Sequence, residues 1–266
     1  MKNEIVRRVF VKKLAGLSLG ACVIPKSLFF CKYNYELFNT HNSTAESEVH
    51  CQVDWQKMMK DHDLVWNKVP LEMKEAPHFG NGLLGSMLWV EENKIRLQIF
   101  RTDVHDHADH TYGWSVYSRP RYQIGYLLLE PKGEIISCNL RQDIYNAELI
   151  GRINTSLGNI SIHHLVHRLD DVIYTETEAI GGEELSGWEW HPFEAKSSRG
   201  GDPGEERYGK TYAPYNKLEN PEHIINKHDN INVSLQDLTH GGNYATAWEE
   251  YKIEDAQTGM LISIEY

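Results

Sequence analysis

The densest set of chemically competent side chains runs from Arg101 to His110, RTDVHDHADH. Three imidazoles (His105, His107, His110) and three carboxylates (Asp103, Asp106, Asp109) lie within ten residues, directly after an apolar alternating stretch. If that stretch continued as a strand, His105 and His107 would share a face and could chelate a divalent ion. A strand-end loop is also where binding residues are commonly placed. A solvated loop in an acidic protein is the plain alternative. Hydrolysis of a glycosidic bond needs two carboxyl groups at a fixed separation, one protonated and one charged. Asp103 with Asp106, or Glu183 with Glu184, are pairs of that kind, and nothing in the sequence sets their separation. Trp188-Glu189-Trp190-His191 places two indoles on one face of an extended segment. Indole faces stack on the C–H faces of sugars while His and Glu reach hydroxyls, and the same pattern equally serves core packing. Trp248, after a glycine turn, reads as core. There is no Gly-x-Ser-x-Gly elbow and no His-Glu-x-x-His helix. The block Phe79-Gly80-Asn81-Gly82-Leu83-Leu84-Gly85 lacks phosphate-loop spacing and reads as a tight turn entering a strand, its glycines supplying positive φ.

The elements that would carry these residues are strands. Leu64 to Trp66, Leu83 to Val90, Ile95 to Arg101, Gln123 to Glu130, Glu134 to Leu140, Ala147 to Asn154, Ile160 to His167 and Val172 to Ala179 are short apolar or alternating runs with turn chemistry between them. Strands resume at Ile231 to Leu238, Tyr244 to Tyr251 and Met260 to Tyr266. Recurrence about every ten residues predicts an all-β fold, a large antiparallel β-sandwich, in place of βαβ units. A short helix is expected over Asp54 to Lys60. Gly181 to His223 is rich in glycine, proline and aromatic residues and reads as one long functional or mobile loop. The final run MLISIEY has no cap or turn after it, and we expect a domain cut short at its C-terminus.

Lys and Arg total 27 against 38 Asp and Glu, a formal charge of −11. This balance disfavours nucleic acid and anionic membranes, both of which need a basic face. The first thirty residues are read as an export signal. Arg7, Arg8, Lys12 and Lys13 precede an apolar run from Leu14 to Ile24 that is too short to span a bilayer stably. Arg7-Arg8-Val9-Phe10-Val11-Lys12 resembles the twin-arginine pattern, and Leu19-Gly20-Ala21-Cys22 a lipobox. The expected location is therefore periplasmic or outer-membrane associated, with membrane contact only through a lipid on Cys22. Cleavage before Cys22 would leave 22 basic against 37 acidic residues, or −15. Residues 31–60 are read as a tether with the short helix, and 61–266 as the β-sandwich domain. Cys51 and Cys138 fit no zinc spacing. One disulfide between them and two buried free thiols are equally compatible with an exported chain.

An ordered series of motifs resembles a known family. Leu64-Val65-Trp66, Gly80-Asn81-Gly82-Leu83-Leu84-Gly85-Ser86-Met87 and Ile95-Arg96-Leu97 resemble the opening of the family 95 glycoside hydrolases, the α-L-fucosidase-like enzymes. Leu140-Arg141-Gln142-Asp143-Ile144-Tyr145-Asn146-Ala147 and His167-Arg168-Leu169-Asp170-Asp171-Val172-Ile173 are similar to later blocks of that family. Arg101 to His107, Trp190-His191-Pro192 and Gly241 to Trp248 are closer to exported proteins carrying domain of unknown function 5703. The resemblance implies the N-terminal β-supersandwich that precedes a catalytic (α/α)6 barrel. It implies that the acid and base lie in that barrel, so no catalytic residue is carried over to this chain. The expected function is a non-catalytic domain of an exported glycan-degrading protein, inactive alone and partnered by the missing barrel. A free-standing carbohydrate-binding module is the alternative. The candidate glycan contacts are Arg101, Asp103, His105, Asp106, His107, Trp188, Trp190 and His191, with no metal and no cofactor.

Overall fold

The structure, a computed structural model, describes residues 53–105, 121–195, 206–207, 210–211, 220–239, 241–254 and 256–266. The expected leader (1–30, with Cys22), most of the tether with Cys51, and Asp106 and His107 lie outside the described residues. Met59–Tyr266 is one compact unit. The helix α1, Trp55–Lys60, is started by Asp54, whose carboxylate accepts from Lys57 N at 3.0 Å.

After α1 the described residues are strands and turns, with one 3-10 turn over Met73–Glu75. In chain order the strands are β1 Leu64–Trp66, β2 His78–Gly80, β3 Leu84–Glu91, β4 Lys94–Arg101 and β5 Gly125–Pro131. There follow β6 Ile135–Asp143, β7 Glu148–Thr155, β8 Gly158–Val166, β9 Val172–Gly181 and β10 Leu185–Pro192. After β11 Glu206–Arg207 and β12 Lys210–Thr211 come β13 Ile224–His228, β14 Ile231–Asp237, β15 Asn243–Glu254 and β16 Gln257–Glu265. One antiparallel sheet has nine strands in the order β1-β6-β7-β8-β9-β16-β15-β14-β13, and a second has five, β10-β5-β4-β3-β2. β11 and β12 pair only with each other. The all-β sandwich expected from the sequence is the observed architecture.

Alternation explains how the sheets face each other. Ile95, Leu97 and Ile99 of β4 and Leu127 and Leu129 of β5 are fully or almost fully buried, and so are Leu140, Ile153, Ile160, Ile262 and Ile264 of the other sheet. They form one apolar cluster between the sheets. The two-residue turn between β3 and β4 uses Glu92 (φ 48°) and Asn93 (φ 64°), both left-handed as such a hairpin requires. Asn93 also ties this turn to the next hairpin: its Oδ1 accepts from Ile135 N at 2.7 Å and its Nδ2 donates to Gly133 O at 3.3 Å.

The long loop expected from Gly181 to His223 is corrected by β10. Leu185 to Pro192 pairs along β5, placing Trp188 opposite Leu129 and Trp190 opposite Leu127. Space for this comes from Gly125, where a Cβ would lie 2.4 Å from Trp190 Cη2. An aromatic side chain laid over a strand glycine thus turns an apparently irregular segment into an edge strand.

Candidate functional site

Arg101 ends β4 on its inward face, and its guanidinium is consumed by the fold. Nε donates to Asp103 Oδ1 at 2.7 Å and Nη2 to Asp103 Oδ2 at 3.1 Å, a bidentate pair, while Nη1 donates to the Ile264 carbonyl of β16. The arginine side chain is 8% exposed, that of Asp103 41%. Thr102 N bonds Leu83 O at 2.9 Å, Val104 is fully buried, and Tyr122 N bonds Val104 O at 3.1 Å. His105 Nδ1 faces the Asp103 carbonyl. A carbonyl only accepts, so Nδ1 carries the proton. Tyr266 OH donates to His105 O at 3.2 Å. The start of the strand-end loop is therefore a fixed structure that joins the two sheets. It brings Arg101, Asp103 and His105 together.

The second group of expected contacts lies elsewhere in the fold. Trp188 and Trp190 belong to the core cluster, with Trp190 5.4 Å from Trp248. The sugar-stacking platform read from these two indoles is corrected: the inward positions of β10 spend both rings on packing. Trp248 is core, as expected. His191 points to the outer face of the five-stranded sheet and stacks on Tyr126 at 5.0 Å and 10°. Arg96 lies 3.6 Å from the centroid of the same tyrosine.

Glu183 and Glu184 do not form an acid–base pair. Glu183 is a buried cap on the β5–β6 turn, accepting from Lys132 N at 2.8 Å, Glu184 N at 3.0 Å, Gly133 N at 3.1 Å and the Thr155 hydroxyl. Burial pushes its carboxyl up, but these four donors outweigh that and hold it below the ordinary value. Glu184 is on the surface beside Lys132, 2.7 Å away. The glycine-rich block is the tight turn that its sequence suggests. Asn81 Oδ1 accepts from Leu83 N and Leu84 N, and Asn81 Nδ2 donates to His167 O at 3.0 Å. Cys138 is a buried free thiol with its sulfur 3.5 Å from Trp66 O, and burial pushes its pKa up.

Two polar groups were not singled out from the sequence. In the core, His164 is fully buried between Ser86 Oγ (2.7 Å) and Thr175 Oγ1 (2.8 Å), with Phe79 edge-on at 5.3 Å. Burial, with a smaller contribution from neighbouring His163, pushes its pKa down to about 3. The imidazole is neutral, one nitrogen donating and the other accepting. On the outer face of the nine-stranded sheet, Tyr174 OH donates to Glu176 Oε2 at 2.7 Å, and Gln257 Nε2 donates to Glu176 Oε1. Burial and the Glu176 carboxylate push the Tyr174 phenol up. His163 meets Glu148 at 2.8 Å on the same face. The period-two run VIYTETEA carried the signal for this set: Thr175 and Thr177 turn inward and are buried, so Tyr174, Glu176 and Glu178 turn outward.

No family model matches the chain, and no curated protein matches it. A solved structure described as "Putative kojibiose phosphorylase from human microbiome" is similar at a TM-score of 0.39 and 10% identity. The similarity covers 71% of this chain and 26% of that one, so the matched region spans about a quarter of that protein. A likeness this distant carries no activity across.

Proposed function

We propose that this chain is a carbohydrate-directed β-sandwich of an exported glycoside hydrolase-like protein, a domain that binds and positions glycan without breaking bonds. The ordered motifs that resemble family 95 and the domain of unknown function 5703 support this reading. So does the sandwich they imply. The observation that carries it is the fate of the carboxylates. Glu183 is sequestered by four donors, and Asp103 is held bidentate by Arg101. Both carboxylates are thereby engaged in holding turns and sheets together, which suits a domain whose bond-breaking groups lie elsewhere. In this reading the acid and base come from an (α/α)6 barrel. Within the segment 101–105, Arg101, Asp103 and His105 are the residues proposed to face that barrel.

Calorimetry against neutral oligosaccharides, with a sulfated polysaccharide and an oligonucleotide as comparisons, tests the reading. Heat of binding is expected with a neutral glycan and none with the polyanions, given the −11 charge. Binding of the polyanions alone would refute the carbohydrate assignment.

A further inference from the structure

We infer that the outer face of the nine-stranded sheet holds a sugar subsite, built around Tyr251 and the depression at the β15–β16 turn. The inference rests on the carbohydrate reading above and moves the ligand face away from the buried Trp188 and Trp190.

The central observation is how Tyr251 lies. It stands opposite Gly259 in the β15–β16 register. A Cβ at Gly259 would sit 2.6 Å from Tyr251 Cζ, 2.7 Å from its hydroxyl and 2.9 Å from Cε2. The hydroxyl end of the ring therefore lies over the Gly259 position of β16, and the residue is half-buried. A ring held in that way is a rigid shelf for the C–H face of a pyranose, with no rotamer entropy left to lose. Gly125 and Trp190 make the same kind of pair, but inward, where the ring is spent on the core.

Beside the shelf is a depression of about 470 Å³ lined by Glu178, Glu254, Ala256 and Gln257. Gln257 is register partner to both Glu178 and Glu254. Glu176, opposite Gly259, lies two residues along β9 from Glu178, or about 7 Å. Shelf and depression are therefore contiguous and of the size of one or two sugar rings. Their polar groups suit a donor-rich ligand. The carboxylates of Glu178 and Glu254 make no ion pair or hydrogen bond among the described residues, so their four oxygens can accept from vicinal hydroxyls. Gln257 gives its amide to Glu176 and keeps its carbonyl oxygen for a hydroxyl. Acceptors around an aromatic shelf match a neutral saccharide and repel an acidic one.

The test is calorimetric titration of the intact chain with cellobiose, maltotriose, lactose and xylotriose, repeated for Tyr251→Ala, Glu178→Gln and, as a control on the five-stranded sheet, Glu130→Gln. Circular dichroism checks that each variant is folded. At least one saccharide is expected to bind. Tyr251→Ala should weaken it tenfold or more, Glu178→Gln several-fold, and Glu130→Gln by less than twofold. Binding that survives both Tyr251→Ala and Glu178→Gln would overturn the subsite and leave the carbohydrate reading standing. Absence of binding by the parent chain to any of the four would count against both. Ethylammonium or calcium binding more tightly than every saccharide, and lost with Glu178→Gln, would make this a cation site and also overturn the inference.

Discussion

His164 is the residue whose environment departs furthest from what its type suggests. Its folded pKa of about 3 lies below the unfolded value of 6.5, so the unfolded chain binds the proton more readily. The stability that comes from keeping this imidazole neutral is complete above pH 6.5 and is lost progressively as pH falls toward 3. One pKa unit is about 1.4 kcal/mol, so acidification from pH 7 to pH 5 should cost about 2 kcal/mol from this group. His164→Gln removes the titration and keeps a hydrogen-bonding side chain. Urea denaturation at pH 7 and pH 5 should show a smaller loss in the variant than in the parent; equal losses would contradict the assignment. Glu183 works in a lower window. Its folded pKa is depressed from 4.5, so its contribution is present above that value and fades as pH drops below it. Glu183→Gln should destabilise by about 1–3 kcal/mol at pH 7, since amide N–H groups would face a neutral partner that also donates. A urea midpoint unchanged from the parent would show that the cap does not matter. Neither role could be read from sequence. His164 is one of two adjacent histidines in β8, and only the facing Ser86 and Thr175 make it a core residue. Glu183 finds its donors about fifty residues earlier, at Lys132 and Gly133, and at Thr155.

At the scale of the elements, glycine–aromatic pairs decide which segments are strands. Gly125→Ala would put a Cβ 2.4 Å from Trp190 and 2.7 Å from the His191 carbonyl, forcing β10 away from β5. A loss of about 2–3 kcal/mol is expected, at the upper end of overpacking costs, with a red shift of tryptophan emission as the indole meets water. Gly259→Ala should displace Tyr251 on the surface with no such shift. A red shift in neither variant would mean that β10 is not held by the glycine. The alternating strands were legible in the sequence because one face of each is apolar: Ile95 to Arg101 and Val172 to Ala179 show it directly. β10 was not, because Gly181-Gly182, the β-bulge between Leu185 and Trp188, and the proline at its end hide the alternation. The all-exposed β13 has no apolar face to reveal it. The strand-end loop was legible as a place, at Arg101. That its arginine and aspartate lock to each other and to Ile264, 163 residues later, was not.

For the molecule as a whole, the sheets divide their labour. The space between them is a continuous apolar core with one neutral histidine network. Asp103 and Glu183, two of the carboxylates that suggested glycoside chemistry, are structural supports. The outer face of the nine-stranded sheet carries the ordered tyrosine, glutamate and glutamine groups. In the function proposed above, a sandwich of this kind would supply surface and rigidity, and the bond-breaking groups would come from a barrel domain. The most direct test incubates the purified chain with a panel of aryl glycosides, including the α-L-fucoside, and follows aryl alcohol release. We predict no release above the protein-free rate, from the parent or from Asp103→Asn. Turnover by the parent that Asp103→Asn abolishes would contradict the account, since the aspartate held by Arg101 would then be doing chemistry.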